Sequence, residues 1–245
     1  MKTIVIIPSR FGSTRFEGKP LALINEKPMI QHVYERSQNA SRVDDVIVAT
    51  DDQRIVDAVN AFGGKAIMTS DKNRSGTDRI AEAAEKIGLE MDDIIINVQG
   101  DQPLMDPRCL DQLVQPFYGD PGIEMSTLAY KIVREREITD PKDVKVTFDK
   151  QMDALYFSRA SIPLARDPAM RHDTFKHLGF YAYTRHFLEI FRKLGEGTLE
   201  AVEKLEQLRV LEHGYRIKVV VTPYDSPEVD LPEDIPRIEK LMGNT

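Results

Sequence analysis

The chain has 245 residues, enough for one large α/β domain or two small ones, and its formal net charge is -7. This acidic balance argues against general binding of nucleic acid, and the lack of a long continuous apolar stretch argues against a membrane span. Cys109 is the only cysteine, which excludes an intrachain disulfide and a cysteine-rich zinc site. Because Met1-Lys2-Thr3 leads straight into a strand without a secretory signal, we expect a cytoplasmic protein.

Strand and helix signals alternate through the first half of the chain. Apolar runs predict buried strands at Ile4–Ile7, Val46–Ala49, Lys65–Met68 and Ile94–Val98. Apolar residues three or four positions apart predict helices at Met29–Ser37, Arg54–Phe62 and Arg79–Ile87. Thr77 or Asp78 is expected to cap the third helix. The repeated order of strand, helix and strand is typical of a parallel sheet with right-handed crossovers.

The second half is richer in strands. Strands are predicted at Glu124–Ile132, Lys145–Asp149, Ala154–Ser158, Gly179–Thr184 and Ile217–Thr222. Helices are predicted at Asp111–Phe117, Arg185–Lys193 and Leu199–His213. No linker rich in Pro, Gly or Ser divides the halves. We therefore expect one α/β domain over residues 1–245, with a mixed, mainly parallel central sheet flanked by helices and an inserted substrate-binding lobe.

A cationic loop, residues 8–20, follows the first strand. It carries Arg10, Arg15 and Lys19 together with Gly12 and Gly18. Glycines let backbone N–H groups approach a polyphosphate, and the cations bind its oxygens. The alternative is a solvated basic loop, but open α/β sheets bind ligands at the carboxyl ends of their strands. The pattern favours a triphosphate over a dinucleotide, because Gly-x-Gly-x-x-Gly is missing from this loop.

Two aspartates are candidate metal ligands. Asp101 follows the apolar run Ile94–Val98 and the flexible Gly100, where a carboxylate can hold a divalent cation against a bound phosphate. The alternative is a turn aspartate that satisfies its own backbone. Asp230, after the last predicted strand, is the second candidate, whereas Glu233 and Asp234 look like acids in the first turn of a terminal helix. Carboxylate oxygens suit Mg²⁺, but the sequence does not show that the two aspartates meet.

Three further segments carry weaker signals. The turn Ser75-Gly76-Thr77 opens a helix and offers N–H groups to a base or an anion, although taken by itself it is better explained as an ordinary N-cap. His177 and Tyr181 lie near one strand face, and a lone histidine there is usually structural. The segment Glu203–Glu212 is an amphipathic helix whose charges are most simply a solvated face.

Taken together, these motifs resemble the 3-deoxy-manno-octulosonate cytidylyltransferases, the CMP-Kdo synthetases of lipopolysaccharide assembly. The matching segments span residues 6–10, 18–21, 48–51, 75–77, 98–101, 154–160, 177–179, 205–209 and 229–234. Tyr156–Arg159, His177–Gly179 and Glu206–Arg209 are the most diagnostic. The resemblance implies a Rossmann-like nucleotide-diphospho-sugar transferase fold, a homodimer, and small-molecule substrates rather than a nucleic acid or membrane partner.

The resemblance also implies a role for each matching position. CTP would be bound by Pro8, Arg10, Arg15, Lys19, Ser75, Gly76 and Arg79. The sugar acid would be bound by Gln99, Arg159, His177, Tyr181, Glu206 and Gln207. Mg²⁺ would be held by Asp101 and Asp230, which together with Arg10 and Lys19 would be the catalytic residues. Residues 1–120 would mainly bind CTP, 121–216 would bind the sugar acid and form the dimer, and 217–245 would supply a return strand and a terminal helix.

The chain departs from the family pattern at two places. Gln102 stands where the family often has Glu, and Phe16-Glu17 stands where it often has Leu-Pro. Several stretches resemble more closely the branch that activates 8-amino-3,8-dideoxy-manno-octulosonate: residues 29–36, 102–103, 177–184 and 225–230. The sugar is therefore Kdo or 8-amino-Kdo. Alternatives are a nucleotidyltransferase for a sialic acid or a hexose phosphate, and a non-catalytic nucleotide-binding regulatory module.

Overall fold

The computed structural model describes residues 1–12, 15–167 and 169–243. Ser13 and Thr14 of the predicted cationic loop, and the last two residues of the predicted C-terminal segment, lie outside the described residues. The described strands are β1 Thr3–Ser9, β2 Leu23–Ile24, β3 Lys27–Pro28, β4 Asp45–Thr50, β5 Ala66–Met68, β6 Ile94–Asn97, β7 Met125–Lys131, β8 Lys145–Phe148, β9 Ala154–Ser158, β10 Phe175–Thr184 and β11 Lys218–Thr222. The described helices are α1 Met29–Gln38, α2 Gln53–Ala61, α3 Gly76–Lys86, α4 Arg108–Gly119, α5 Glu135–Thr139, α6 Arg185–Phe191, α7 Thr198–Glu203, α8 Leu208–Glu212 and α9 Ile235–Met242.

Most of the strands form one twisted sheet with the order β11-β7-β10-β6-β1-β4-β5. Strand β1 lies between β4 and β6 and pairs parallel with both. Its residues are apolar on both faces because helices cover both sides of a parallel sheet. Ile4 and Ile6 pack into one core, while Val5 and Ile7 pack into the core on the opposite face. The predicted α/β fold with a central parallel sheet is confirmed.

Strand β10 joins the parallel part of the sheet to an antiparallel part. It pairs antiparallel with β6, β7 and β8, and β9 extends this side through β8. The register with β7 shifts between His177 and Tyr181, around Gly179, whose φ is +72°. A residue with a side chain rarely adopts this conformation, so the glycine permits the bulge. The bulge lets one long strand serve both parts of the sheet.

The parallel strands end at a common edge of the sheet. Ser9 of β1, Thr50 of β4 and Asn97 of β6 mark this edge, and α3 begins beside it. The loop after β6 packs closely against β1 here, because a Cβ added at Gly100 would lie 3.2 Å from the Ser9 Oγ and 3.7 Å from the Pro8 carbonyl oxygen. The fold therefore brings the ends of loops that are distant in sequence to one place.

Two details differ from the predictions. Helix α3 begins at Gly76, and the Ser75 hydroxyl accepts a hydrogen bond from the Asp78 N–H at 3.2 Å. Thr77 and Asp78 are thus in the first turn and do not cap the helix, and the prediction that one of them is the cap was wrong.

The predicted single helix Leu199–His213 was also wrong, since it is two short helices, α7 and α8. Lys204 has a left-handed backbone with φ +54°, which ends α7. Arg209 on α8 pairs with Glu200 on α7 and folds the two helices onto each other. The amphipathic pattern therefore reflects packing of both helices and not one continuous face.

Among the described residues, no helix combines the length and the apolar character of a membrane span.

Candidate active site

A cavity of about 430 Å³ opens at the carboxyl ends of β1 and β6. It is lined by most of the residues predicted to bind the nucleotide and by two other predicted site residues: Pro8, Arg10, Arg15, Lys19, Gly76, Arg79, Gln99 and Asp101. Ser75, the remaining predicted nucleotide contact, lines an adjoining cavity of about 780 Å³ together with Arg10, Gly76 and Glu206. The structure thus gathers the predicted nucleotide residues on one side of the sheet edge.

The described residues of the cationic loop include several that line this cavity. Gly18 has φ +69°, and its N–H donates to the Phe11 carbonyl oxygen at 2.9 Å. This turn lets Lys19 reach across the cavity, where its Nζ lies 2.7 Å from Asp101 Oδ2. Arg15 reaches Asp230 Oδ1 at 3.2 Å. Arg10 has no ion-pair partner among the described residues, so its charge is available for a ligand.

Arg79 lies at the inner wall of the cavity and is buried. Its guanidinium donates to Asp51 Oδ2 at 2.6 Å and also to the Thr69 hydroxyl. Arg79 belongs to α3, whereas Asp51 directly follows β4 and Thr69 directly follows β5. These hydrogen bonds therefore connect the helix to the sheet. Arg79 therefore holds the wall of the nucleotide cavity in place as well as lining it.

The two predicted metal ligands lie in neighbouring segments. The Val229 N–H donates to the Asp101 carbonyl oxygen at 2.9 Å, and Lys19 Nζ also donates to the Val229 carbonyl oxygen at 3.0 Å. Asp230 is the next residue, so the segment from the far end of the chain is bonded directly to the loop after β6. The structure thus shows that the segments carrying Asp101 and Asp230 lie side by side, which the sequence alone did not show.

The carboxylate oxygens fit a Mg²⁺ ion, which uses one or two carboxylates and completes its shell with water and substrate phosphates. The described residues contain no group of three or more histidine, cysteine or acidic side chains arranged as a metal site by themselves. That finding is compatible with an ion that the substrate helps to hold. Asp101 and Asp230 are the two side chains that would hold it.

Glu228 is a site residue that sequence reasoning missed. Partial removal of its carboxyl group from water, followed by the nearby charges of Asp101 and Asp230, raises the pKa of Glu228 above its ordinary value. The residue stays exposed on the wall of a separate cavity of about 340 Å³, which His177 and Asp230 also line. Gln102 donates a hydrogen bond to the Glu228 carboxylate at 2.9 Å. No motif pointed to this contact, because it joins residues 126 positions apart.

Several predicted sugar-binding residues form a polar and aromatic cluster. The Thr77 hydroxyl donates to Glu206 at 2.7 Å. Asn97 links Gln99 to the Tyr183 hydroxyl, with distances of 3.2 Å to the first and 3.0 Å to the second. Gln99 lines the cavity of about 430 Å³, and Glu206 lines the adjoining cavity of about 780 Å³.

His177 and Tyr181 lie in contact on β10 and are uncharged. Their ring centres are 5.2 Å apart, and His177 Nε2 lies 2.8 Å from the Thr127 hydroxyl. Burial lowers the pKa of His177 to about 3 and raises the pKa of Tyr181 well above its usual value. These side chains can donate or accept hydrogen bonds, but they are not acids or bases near neutral pH.

Arg159 and Gln207 are placed differently from the rest of the predicted sugar site. The Arg159 guanidinium donates to the backbone oxygens of Glu203 and Pro141, at 2.8 and 3.0 Å. It does not line any of the three cavities described above. Gln207 is buried, and its Nε2 has no hydrogen-bond partner among the described residues. None of these hydrogen bonds joins Arg159 or Gln207 to the remainder of the cluster, and their assignment to the sugar site stays a prediction.

Comparison with known proteins agrees with this geometry. The family described as "Cytidylyltransferase" matches residues 4–217. A 3-deoxy-manno-octulosonate cytidylyltransferase of Desulfatibacillum aliphaticivorans is 65% identical over 242 residues, covering 99% of each chain. An 8-amino-3,8-dideoxy-manno-octulosonate cytidylyltransferase of Shewanella piezotolerans is 56% identical and covers 96% of each. A solved structure of CMP:2-keto-3-deoxy-manno-octonic acid synthetase complexed with CTP has a TM-score of 0.93 at 44% identity, covering 100% of this chain and 99% of that one.

These matches define the class: the chain belongs to the cytidylyltransferase family. Within that family, relatives similar along the whole chain include proteins named for 3-deoxy-manno-octulosonate and proteins named for its 8-amino derivative. The resemblance and the enzyme class predicted from the sequence are confirmed. Because both kinds of relative match over nearly the full length, their names leave the substituent at position 8 undecided.

Proposed function

We propose that this protein transfers the cytidylyl group of CTP to a 3-deoxy-manno-octulosonate sugar acid, giving the CMP-sugar and pyrophosphate for lipopolysaccharide biosynthesis. The observation that carries the proposal is the contact of Lys19 with both Asp101 and the backbone beside Asp230. One cavity thereby combines cations for a triphosphate with carboxylates for a metal ion. The full-length similarity to named octulosonate cytidylyltransferases supports the same reaction.

The nucleotide occupies the cavity at the ends of β1 and β6. Arg10, Arg15 and Lys19 bind the triphosphate and offset the charge that develops on the leaving pyrophosphate. Pro8, Ser75, Gly76 and Arg79 form the end that accepts the cytidine. Gly76 suits this role because it begins an eleven-residue helix, whose free N–H groups point toward the cavity side.

The sugar acid binds beside the nucleotide, against the cluster that contains Gln99, Tyr181 and Glu206, with His177 as a neutral hydrogen-bonding group. Its anomeric hydroxyl displaces pyrophosphate directly at the α-phosphorus, so the reaction needs no covalent intermediate. The contribution of the protein is to position the two substrates and to neutralise charge.

Asp101 and Asp230 hold Mg²⁺ in this proposal. The ion, when bound, supplies charge neutralisation for the phosphates and lowers the pKa of a coordinated hydroxyl. Lys19 pairs with Asp101, and Arg15 pairs with Asp230.

The remaining parts of the proposal concern assembly and organisation. Residues 1–120 mainly bind CTP, residues 121–216 carry the sugar site and the dimer contacts, and residues 217–245 return Asp230 to the nucleotide. The protein acts in the cytoplasm as a homodimer. Exposed apolar side chains on and beside the β8–β9 lobe, such as Leu155 and Leu164, are consistent with a second copy covering this side.

Pyrophosphate release tests the function. The assay combines the protein, Mg²⁺ and CTP or UTP with an octulosonate, a sialic acid or a hexose phosphate. We expect release only with CTP and an octulosonate. Release with a different sugar class would assign the chain to another nucleotidyltransferase, and CTP binding without release would indicate a regulatory module.

A further inference from the structure

The cavity lined by Glu228 contains a carboxylate that lacks a cation. Three acids near it each have one: Asp101 pairs with Lys19 at 2.7 Å, Asp225 with Lys176 at 2.8 Å, and Asp230 with Arg15 at 3.2 Å. Glu228 has no ion-pair partner among the described residues. The side chain that hydrogen-bonds to its carboxylate is the neutral amide of Gln102.

Gln102 fixes the position of this carboxylate. The Gln102 side chain is fully buried, and its Nε2 donates to the Leu178 carbonyl oxygen at 2.8 Å and to Glu228 Oε1 at 2.9 Å. Both amide protons are thereby used, and the orientation of the amide is set by the backbone of β10. Glu228 Oε2 has no hydrogen-bond partner among the described residues, which leaves it for a ligand.

Ser226 is a second polar residue in the wall of the same cavity. Ser226 lines the cavity and is 5% exposed, and its Oγ has no hydrogen-bond partner among the described residues. A hydroxyl oxygen and a carboxylate oxygen are both acceptors. The same cavity is also lined by the cationic side chains of Arg134, Arg136, Lys142, Lys176 and Arg237, so its wall carries both signs of charge. Within it, the Glu228 carboxylate is an acceptor for a donor group that carries positive charge.

The position of the cavity connects it with the proposed reaction. His177 of the sugar site and Asp230 of the metal site both line it. A sugar acid held between those residues extends a substituent into this cavity. A primary alkyl amine is protonated at neutral pH, as the lysine side chain is, and provides three donors to acceptors of this kind.

We propose that Glu228, held by Gln102 and accompanied by Ser226, forms a subsite for a protonated amine on the sugar acid, so that this enzyme prefers the 8-amino octulosonate to the 8-hydroxyl sugar. The inference rests on the proposed function, because it concerns the substrate of the same site.

The test measures kcat/KM for pyrophosphate release with each of the two sugars, at saturating CTP and Mg²⁺. The wild-type enzyme is expected to prefer the amino sugar at least tenfold. In Glu228→Gln, which keeps the shape and removes the charge, this preference is expected to fall at least tenfold, mainly through KM for the amino sugar. A charge-assisted hydrogen bond contributes enough for an effect of this size. Glu233→Gln is the matched control, since Glu233 is exposed five residues away, and it should keep the wild-type preference.

The outcomes separate this inference from the function beneath it. Pyrophosphate release with neither sugar overturns both. Release with both sugars at equal efficiency, or a preference for the hydroxyl sugar, leaves the function standing and overturns the amine subsite. A Glu228→Gln variant that loses activity equally with both sugars, or needs more Mg²⁺ with both, assigns Glu228 to the metal site and also overturns it. The wild-type preference is measured without any variant, so a misfolded Glu228→Gln does not protect the proposal.

Discussion

The two sides of the nucleotide cavity are built differently. On the side of α3, the charged pair formed by the cavity-lining residue Arg79 is deep: Arg79 is 1% exposed and its partner Asp51 is 18% exposed. On the side of the cationic loop, the pairs are accessible, because Lys19 and Asp101 are 17% and 25% exposed, while Arg15 is 67% exposed. A buried pair is expensive to break, whereas an accessible pair can change partners. The side of α3 is thus a fixed wall, whereas the charged side chains on the side of the cationic loop can leave their partners to bind substrates.

This difference predicts that substitutions on the accessible side mainly affect activity and substitutions in the wall mainly affect stability. The predictions below follow that division, from the largest expected effect to the smallest.

The largest effect is expected for Asp101→Asn. It removes a carboxylate that is proposed to hold Mg²⁺ against the triphosphate, so kcat should fall about 100-fold or more while the affinity for CTP changes by less than about fivefold. Steady-state pyrophosphate release and calorimetric CTP titration measure the two quantities. Asp57→Asn, on the exposed face of α2, is the control. Near-normal turnover of Asp101→Asn at saturating Mg²⁺ would contradict the assignment.

The next effect is expected for Lys19→Met. It removes a charge that is proposed to bind the triphosphate, and the KM for CTP should rise about 10- to 100-fold, as the loss of a charge-assisted hydrogen bond predicts. The free energy of unfolding should change by no more than about 1 kcal/mol, because the pair with Asp101 is accessible to water. Lys27→Met, which removes an exposed lysine paired with Glu35, serves as the control. An unchanged KM would place the triphosphate elsewhere.

The fixed wall is tested by Arg79→Met. This change leaves Asp51 without its buried partner, and the free energy of unfolding should fall by about 3 kcal/mol. Urea unfolding measures the loss. Arg74→Met removes an exposed arginine from the i,i+4 pair with Asp78, and should cost only about 0.5 kcal/mol. Equal losses in the two variants would abolish the distinction between a fixed wall and an accessible side.

The smallest effect concerns Glu82 on α3. Partial burial raises its pKa, but hydrogen bonds from Lys86, the Ser70 N–H and Asn73 outweigh this and hold the pKa of Glu82 at about 2. Because the folded-state pKa lies below the ordinary value of 4.5, the stabilisation is complete above pH 4.5 and is lost as the pH falls toward 2.

Glu82→Gln should therefore lower the free energy of unfolding by about 1 kcal/mol at pH 7, a value reduced for solvent screening. The difference from wild type should shrink as the pH falls from 4.5 toward 2. Urea unfolding at several pH values measures it. A difference that stays constant over this range would mean that the charge of Glu82 does not stabilise α3.

The nucleotide side could largely be predicted from the sequence. Arg10, Arg15 and Lys19 lie in one loop after an apolar strand, so their proximity follows from chain continuity. Asp101 could be placed at the same edge because parallel strands end together. The strands Thr3–Ser9 and Asp45–Thr50 were predicted to within three residues at each end, since both are buried and apolar.

The cavity beside Glu228 could not be predicted from the sequence, because it depends on contacts between distant segments. Gln102, Leu178 and Glu228 meet only after β10 is seated beside β6 and the C-terminal segment is bonded to the loop after it. A helix-like pattern over Leu199–His213 also concealed the turn at Lys204, because both short helices carry apolar residues at helical spacing. A local sequence pattern shows the periodicity of apolar residues in a segment, but it does not show which distant residues the segment packs against.

A crystal structure of this protein with CTP and Mg²⁺ tests the central claim most directly. The account predicts that Arg10, Arg15 and Lys19 contact the triphosphate, and that Asp101 and Asp230 have left Lys19 and Arg15 to share a Mg²⁺ ion beside it. A triphosphate bound away from the loop of residues 8–20, or aspartates still paired with the two cations while nucleotide and metal are bound, would contradict the account.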